Sequence, residues 1–386
     1  MRAWCLYWAV LLLAGCTPSG PPAPTLAPTV APTATIPAAA PTKPVAAPPA
    51  APAPTATVGA APAGADDRAI ADFYRGKNVR LIIGFGAGGV VDVYTRTLAA
   101  HLSRAIPGNP TVIVENRGGA GSLTAANAVY KNEPKDGTVV GVFVISLVLQ
   151  QAVGGPNLEF DAARYQWVGA ILADNTTCLA KANSVQSIQE VIAGKQLATG
   201  SLGTGAQTYQ IPAAMNATLG THFKLIPGYG TLAEARLAFD RGEIDAYCPV
   251  FSAVVALDHE RLEGTNPQAR MIVIAGERFP NHPLVQGVPH MLEMAQTDEQ
   301  KTILRAISLP DGFFPAFAMA PEVPRERVQA LRKAFAQTLA DATFRADADK
   351  SNLLVDPRTP EEMEQAVKDM LGLPPPILDK LRPLVL

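Results

Sequence analysis

The sequence predicts an α/β protein of two lobes, on three observations. Short apolar runs alternate with amphipathic helical segments from residue 79 onward. The alternation occurs twice, each time with a glycine-rich turn after the first strand. About 320 residues follow the N-terminal segment, too many for one simple core.

The first unit has strands at 79–83, 111–114 and 138–145. Helices lie between them at 93–105 and from the glycine loop 118–122 to about 130. This βαβαβ order implies a parallel sheet with right-handed crossovers. The second unit repeats it, with strands at 196–199, 223–226 and 244–248, a further strand at 271–275, and helices at 211–219 and 232–241. Its turns are GSLGTGAQ at 200–207 and PGYGT at 227–231. C-terminal helices are expected at 325–340 and 361–371, each started by a proline, Pro324 and Pro360. The expected division is lobe 1 at 66–177 and 277–386, with lobe 2 as one insert at 178–276. In open α/β sheets ligands sit beyond the carboxyl ends of the strands, so two such units facing each other make a cleft.

The first glycine turn, LIIGFGAGGVVD at 81–92, also fits G-x-G-x-x-G literally through Gly84, Gly86 and Gly89. The next strand ends at Glu115, where a dinucleotide fold places its ribose-binding acid. A nicotinamide enzyme is therefore one reading of this loop.

The N-terminus points to export. Arg2 precedes a short apolar run at 6–13, too short to anchor a chain across a bilayer. Leu13-Ala14-Gly15-Cys16 resembles the lipobox of bacterial lipoproteins, which implies a signal peptide at 1–15 and a lipid on Cys16. Residues 16–65 are nearly all Pro, Ala and Thr, with no aromatic residue and Lys43 as the charge within the run; such a segment is a disordered, extended tether. The expected location is outside the cytoplasm, lipid-anchored at the outer face of the cytoplasmic membrane or in the periplasm. A net charge of −2 and a pI near 6.2 give no basic footprint for nucleic acid. With Cys5 and Cys16 assigned to the leader and the lipid, Cys178 and Cys248 remain, open to pairing or to burial as free thiols.

Six separated motifs, in order, resemble the solute-binding proteins of tripartite tricarboxylate transporters, also called the Bug receptors. GFGAGGVVD at 84–92 looks like the family's P-F-x-A-G-G-x-x-D, and VENRGGAGS at 114–122 its V-E-N-R-x-G-A-G. PKDGTVVGV at 134–142 is similar to P-x-D-G-x-T-L, and GTGAQ at 203–207 sits where the family has G-x-G-T-x-x-H. IPGYGT at 226–231 resembles V-P-Y-K-G, and RGEIDAYCPVFSAV at 241–254 a G-Q-V-D strand and loop. The resemblance covers essentially the whole folded part. It implies a type II periplasmic-binding, Venus-flytrap fold that holds a small carboxylate by backbone N–H groups of two glycine loops. It implies a membrane transporter as partner, no cofactor, no catalysis and a monomer. In that fold the strand entering lobe 2 runs antiparallel beside its third strand, which would set Cys178 next to Cys248 and allow a disulfide. The sequence departs from the family pattern at Gly84 and Gly86, and Val90 and Val91 stand where hydroxyl residues are common. Arg117 is the main cation near the loops, which favours a mono- or dicarboxylate, or a partly apolar acid, over a tricarboxylate.

The candidate ligand-binding residues are Ala87, Gly88 and Gly89 in the first loop and Ser146 after the third strand. In lobe 2 they are Ser201, Gly203, Thr204, Gly205 and Gln207, Tyr229 and Gly230, and Phe251 and Ser252, with Phe251 read as a ring that stacks on the ligand. Asp92 is read as steadying its own loop, since an acid repels an anion. The five histidines, His101, His222, His259, His282 and His290, lack metal-ligand spacing, and no G-x-S-x-G elbow appears. Three functions stay open on sequence: a transport receptor, an exported nicotinamide oxidoreductase, or a sensor for a signalling partner.

Overall fold

The computed structural model describes residues 65–276 and 281–386. The expected signal peptide, lipid-bearing Cys16 and nearly all of the tether lie outside the described residues.

Lobe 1 opens with α1 (Ala65–Tyr74), β1 (Asn78–Ile83), α2 (Val90–Ala105), β2 (Thr111–Asn116), α3 (Leu123–Lys131), β3 (Val139–Phe143), α4 (Leu147–Ala152) and β4 (Gln166–Leu172). The chain then crosses into lobe 2 and forms β5 (Thr177–Lys181), α5 (Ile188–Ile192), β6 (Leu197–Ser201), α6 (Gln207–Leu219), β7 (Phe223–Pro227) and α7 (Leu232–Arg241). There follow β8 (Ala246–Tyr247), the short turns α8 (Phe251–Ala253) and α9 (His259–Leu262), β9 (Ala269–Ile274) and α10 (Asp298–Ser308). The chain returns through β10 (Phe314–Met319) and ends with α11 (Arg325–Ala340), α12 (Ala342–Lys350), α13 (Pro360–Leu371) and α14 (Pro375–Val385).

The two sheets share one plan. Their strand orders are β2-β1-β3-β10-β4 and β7-β6-β8-β5-β9. In each, the first three positions are parallel, as right-handed βαβ crossovers require. The fourth position is a strand arriving from the other lobe and running antiparallel: β10 beside β3 in lobe 1, β5 beside β8 in lobe 2. Sheets covered by helices on both faces need strands apolar on both faces. All five residues of β3 and all six of β10 are buried.

The two crossings lie at 173–176 and 309–313, side by side, where the N–H of Asp174 donates to the carbonyl of Asp311 at 2.8 Å. Helix α10 packs along α6, so the chain stays with the second lobe until about Ser308 rather than leaving it at 276. The cause is an apolar face on α10: Ile303, Leu304 and Ile307 are buried in one cluster with Ile211, Ala214 and Met215 of α6.

The antiparallel pair β5–β8 matches Leu179 with Tyr247 and Ala180 with Ala246. One step further along this register Cys178 faces Cys248, and the two are joined in a disulfide. Both are fully buried.

Candidate functional site

The turn after β1 is fixed by one carboxylate. Asp92, in the first turn of α2, accepts hydrogen bonds from the Gly88 N–H (3.0 Å), Arg96 Nε (2.9 and 3.0 Å) and Asn116 Nδ2 (2.9 Å). Burial pushes the Asp92 carboxyl up, but the bonds from Arg96, Gly88 and Asn116 together outweigh it and hold it below the usual range. Gly88 takes φ +80°, a conformation that glycine adopts without penalty. Its N–H is already used by Asp92, and Ala87 and Gly88 are exposed at the tip of the turn.

The loops of the two lobes touch. A Cβ on Gly86 would lie 2.6 Å from Thr231 Cγ2 across the cleft, and one on Gly121 would lie 3.3 Å from the carbonyl carbon of Gly205. Ser146 Oγ donates to the Gly205 carbonyl at 2.9 Å. Glycine is thus required where the opposing lobe's backbone or side chain closes on it.

Between the closed loops is a cavity of about 60 Å³. Lobe 1 lines it with Phe85, Gly86, Gly89, Val90, Val91, Val144, Ile145 and Ser146, and lobe 2 with Leu202, Ala206, Gln207, Thr208, Thr231, Leu232 and Val250. The crossings supply Asp174, Pro310 and Asp311, and Phe313 and Phe314 complete the wall. No lysine, arginine or histidine is among the lining residues. Instead, three helices begin there: α2 at Val90, α6 at Gln207 and α7 at Leu232, each with its first residue on the wall. The first N–H groups of a helix have no acceptor within it and carry the positive end of its dipole. Such helix starts suit an anion without any cationic side chain.

The crossings hold two buried carboxyls. Asp174 accepts from the N–H groups of Asn175 (2.8 Å) and Ser252 (3.1 Å) and from Ser252 Oγ. Asp311 accepts from Thr176 N–H, Thr176 Oγ1 and Gln207 Nε2, each at 3.0 Å. Burial raises Asp174 to about 6 and Asp311 to about 7, against the pull of these hydrogen bonds.

Of the residues expected from sequence, Gly89, Ser146 and Gln207 line the cavity. Gly205 and Gly203 sit at the closing contact between lobes: Gly205 receives the Ser146 hydroxyl, and a Cβ on Gly203 would lie 3.8 Å from Gly121 N. Thr204 gives its carbonyl to Gln210 Nε2 (3.1 Å), and Gly230 its N–H to Glu234 (2.9 Å). Ser201 is fully buried at the end of β6, and the Tyr229 ring covers Gly200. Phe251 does not line the cavity; its ring is buried in the lobe 2 core, edge-on to His282 at 5.3 Å. Ser252 serves Asp174. Arg117 is engaged with Glu115 (3.1 Å) and Glu133. Sequence reasoning missed Asp174, Asp311 and the aromatic wall of Phe85, Phe313 and Phe314. Acids at the ends of apolar runs, after 166–173 and 303–310, were the available signal for the two aspartates.

Two five-stranded lobes, crossed twice by the chain and closed over a cavity at helix N-termini, define a two-lobed periplasmic-binding-protein fold. Solved structures agree: periplasmic binding protein BugD superposes with a TM-score of 0.65 at 18% identity, covering 81% of this chain and 98% of that one. MatC of Rhodopseudomonas palustris, with bound malate, does so with a TM-score of 0.62 at 19% identity, covering 80% and 99%. A further R. palustris protein, with adipate, gives 0.60 at 18% identity, covering 80% and 97%. The family model described as tripartite tricarboxylate transporter family receptor matches residues 95–290, and the chain belongs to that family. A UPF0065 protein of Bordetella pertussis is 30% identical over 200 residues, 49% of this chain and 59% of that protein. A UPF0065 protein of Cupriavidus necator is 39% identical over 90 residues, 23% and 26% of the two chains. The chain thus matches only part of the length of these curated relatives.

Proposed function

We propose that this protein is an exported receptor that captures a small organic carboxylate between its lobes and delivers it to membrane subunits of a transporter. The observation that carries the reading is the cavity itself: three helix starts from two lobes meet at a mostly apolar space with no basic side chain among its lining residues. Backbone N–H groups would hold the carboxylate there, and the apolar wall would take the body of the acid. Malate in MatC and adipate in its R. palustris counterpart support a carboxylate as the solute class. Export and a lipid on Cys16 are part of this proposal and rest on the N-terminal sequence.

The nicotinamide reading finds less support. Glu115, which would meet a ribose, is held by Arg80 at 2.6 Å and by Arg117. A thermal-shift screen of organic acids, followed by calorimetry, tests the proposal, because a ligand bound only by the folded state raises the apparent stability. A set of small acids with some members that shift the transition and bind at one site would support it. A flat response across mono-, di- and tricarboxylates would overturn it.

A further inference from the structure

The crossings set two carboxyls against the cavity with no cation beside them. Asp174 and Asp311 lie on neighbouring segments and are the sole ionisable groups among the residues that line it. Their hydrogen-bond donors are all neutral: the N–H groups of Asn175, Thr176 and Ser252, the hydroxyls of Thr176 and Ser252, and Gln207 Nε2. Charged and titratable neighbours from the surrounding elements do not compensate them. The Tyr94 phenol of α2 feels the Asp174 charge, and burial raises that phenol far enough to keep it neutral. A groove behind the crossings, which Asp174 also lines, holds Arg358, Glu362 and Asp369. Arg358 is engaged there with Asp356 at 2.6 Å and Glu362 at 3.6 Å, and Asp369 accepts from Gln365 at 2.7 Å.

We infer that Asp174 and Asp311 couple solute capture to proton uptake: the cleft takes its carboxylate together with a proton from bulk water, which rests on this pair of carboxyls, and gives up both when it opens. The inference rests on the carboxylate reading and goes beyond it. A carboxylate seated at the helix starts faces the pair across one cavity, and like charges raise each other's proton affinity. At an effective dielectric of about 20, a unit charge about 6–8 Å away displaces a buried carboxyl by roughly 1.5–2 pH units. The effect acts through space and needs no contact between the solute and either carboxyl. Burial already raises Asp174 to about 6 and Asp311 to about 7, so the further rise falls across neutral pH. One proton cancels the charge that the solute brings, and two carboxyls this close share it as a pair. Linkage then fixes the sign: a solute that tightens proton binding is itself bound more weakly as pH rises through that window.

The test uses the tightest binder among phenylacetate, 4-methylpentanoate, malate and adipate, acids that stay ionised from pH 6.5 to 8.5. Calorimetry across that range, in phosphate and in Tris, reads both Kd and the number of protons exchanged, because the two buffers differ in ionisation enthalpy. Kd should rise at least tenfold from pH 6.5 to 8.5, with uptake approaching one proton per solute near neutral pH. Asp174→Asn with Asp311→Asn should flatten the profile and bring uptake to zero. Thr176→Val withdraws a hydroxyl that favours the ionised form of Asp311, so the fall in affinity should move up by about half a pH unit. General damage to the crossing would instead weaken binding equally at every pH. Circular dichroism and Tm establish folding; if the double variant does not fold, the Thr176→Val profile decides, and an unmoved profile overturns the inference. A flat Kd with no proton uptake in the wild type overturns it while leaving the carboxylate receptor intact. Uptake that survives in the folded double variant arises at another group, such as a histidine, and overturns it as well. Binding of none of the four acids overturns both readings.

Discussion

Replacing Gly86 with alanine should prop the cleft open. The added Cβ would lie 2.6 Å from Thr231 Cγ2 on the opposite lobe, where carbon atoms sit comfortably at about 3.5–4.0 Å. The lobes must then part locally by about 1 Å, or Thr231 must turn about χ1. Turning is opposed, because Thr231 Oγ1 caps α7 by accepting the Glu234 N–H at 3.2 Å, and losing such a cap costs about 1 kcal/mol. Overpacking of a close contact costs about 1–3 kcal/mol, and here the penalty falls on the closed form only. Solute affinity should drop by about 5- to 150-fold, with little change in the Tm of the unliganded protein. Calorimetry reads the affinity, and small-angle scattering at saturating solute reads the closure. Thr231→Ser removes Cγ2 and keeps the cap, so it should restore most of the affinity in the Gly86→Ala background, a coupling that a double-mutant cycle measures directly. Wild-type affinity in Gly86→Ala, or no recovery in the double variant, would refute the idea that this glycine exists for the approach of the second lobe.

Three other outcomes are expected. Cys178→Ala with Cys248→Ala opens a loop of about 70 residues and should lower stability by about 4 kcal/mol on the chain-entropy model, read by urea unfolding; reduction of the denatured chain should release two additional thiols. Gly205→Val should weaken binding, because even its Cβ would lie 2.5 Å from Gln150 Nε2 at the closing contact, whereas Gly88→Val should also lower stability by about 1–2 kcal/mol, since φ is +80° there and an L residue is strained although the space is open. Arg117→Ala should leave solute affinity within about twofold, because its guanidinium pairs with Glu115 and Glu133 inside lobe 1 and is not among the residues that line the cavity.

The parts of the fold legible in the sequence are those with local punctuation. Helix α7 is bounded by the Thr231 cap and by Gly242 in a left-handed conformation, and α11 starts behind Pro324; both have the bounds expected. Strand β8 keeps only Ala246 and Tyr247 of the expected 244–248, because its pairing is limited by short contacts with β5 and β6. The return to lobe 1 was not legible: α10 carries its own capping box, Thr297 with Gln300, but nothing local tells a helix which lobe it will pack on. The glycine loops were legible as a site, yet their reason was incomplete. Gly86 and Gly121 face the opposite lobe, a relation between residues more than 80 positions apart in the chain that appears only on closure. Phe251 and Ser252 fall in the expected loop, but the direction of their side chains depends on the crossing at Asp174, which no period or motif encodes.

The crossing itself should make stability depend on pH in an unusual direction. Most shifted carboxyls here lie low: Arg80 hydrogen-bonds Glu115 and Arg261 hydrogen-bonds Asp240, and the stability these contribute is lost as pH falls through their folded values. Asp174 and Asp311 behave oppositely. Burial raises them to about 6 and about 7, so the folded state holds their protons more tightly than the unfolded chain, where an aspartate titrates near about 3.9. Their contribution is fully present below about pH 4 and is lost as pH rises through the window from about 4 to about 7. With roughly 1.4 kcal/mol per pH unit of displacement, the loss is on the order of a few kcal/mol for the pair, which shares one buried site and titrates together. Asp311→Asn removes one titrating group and keeps an oxygen for Gln207 Nε2 and Thr176 Oγ1. Urea unfolding of both proteins at pH 4.5, 5.5, 6.5 and 7.5 isolates the effect, because the low carboxyls are common to both. The stability of the wild type should fall relative to the variant across that range, and parallel curves would show that Asp311 does not take up its proton on folding. The same ionisation puts charge without a cationic partner between the two segments that join the lobes, so weakened closure at higher pH should accompany the stability loss and vanish with it in Asp311→Asn.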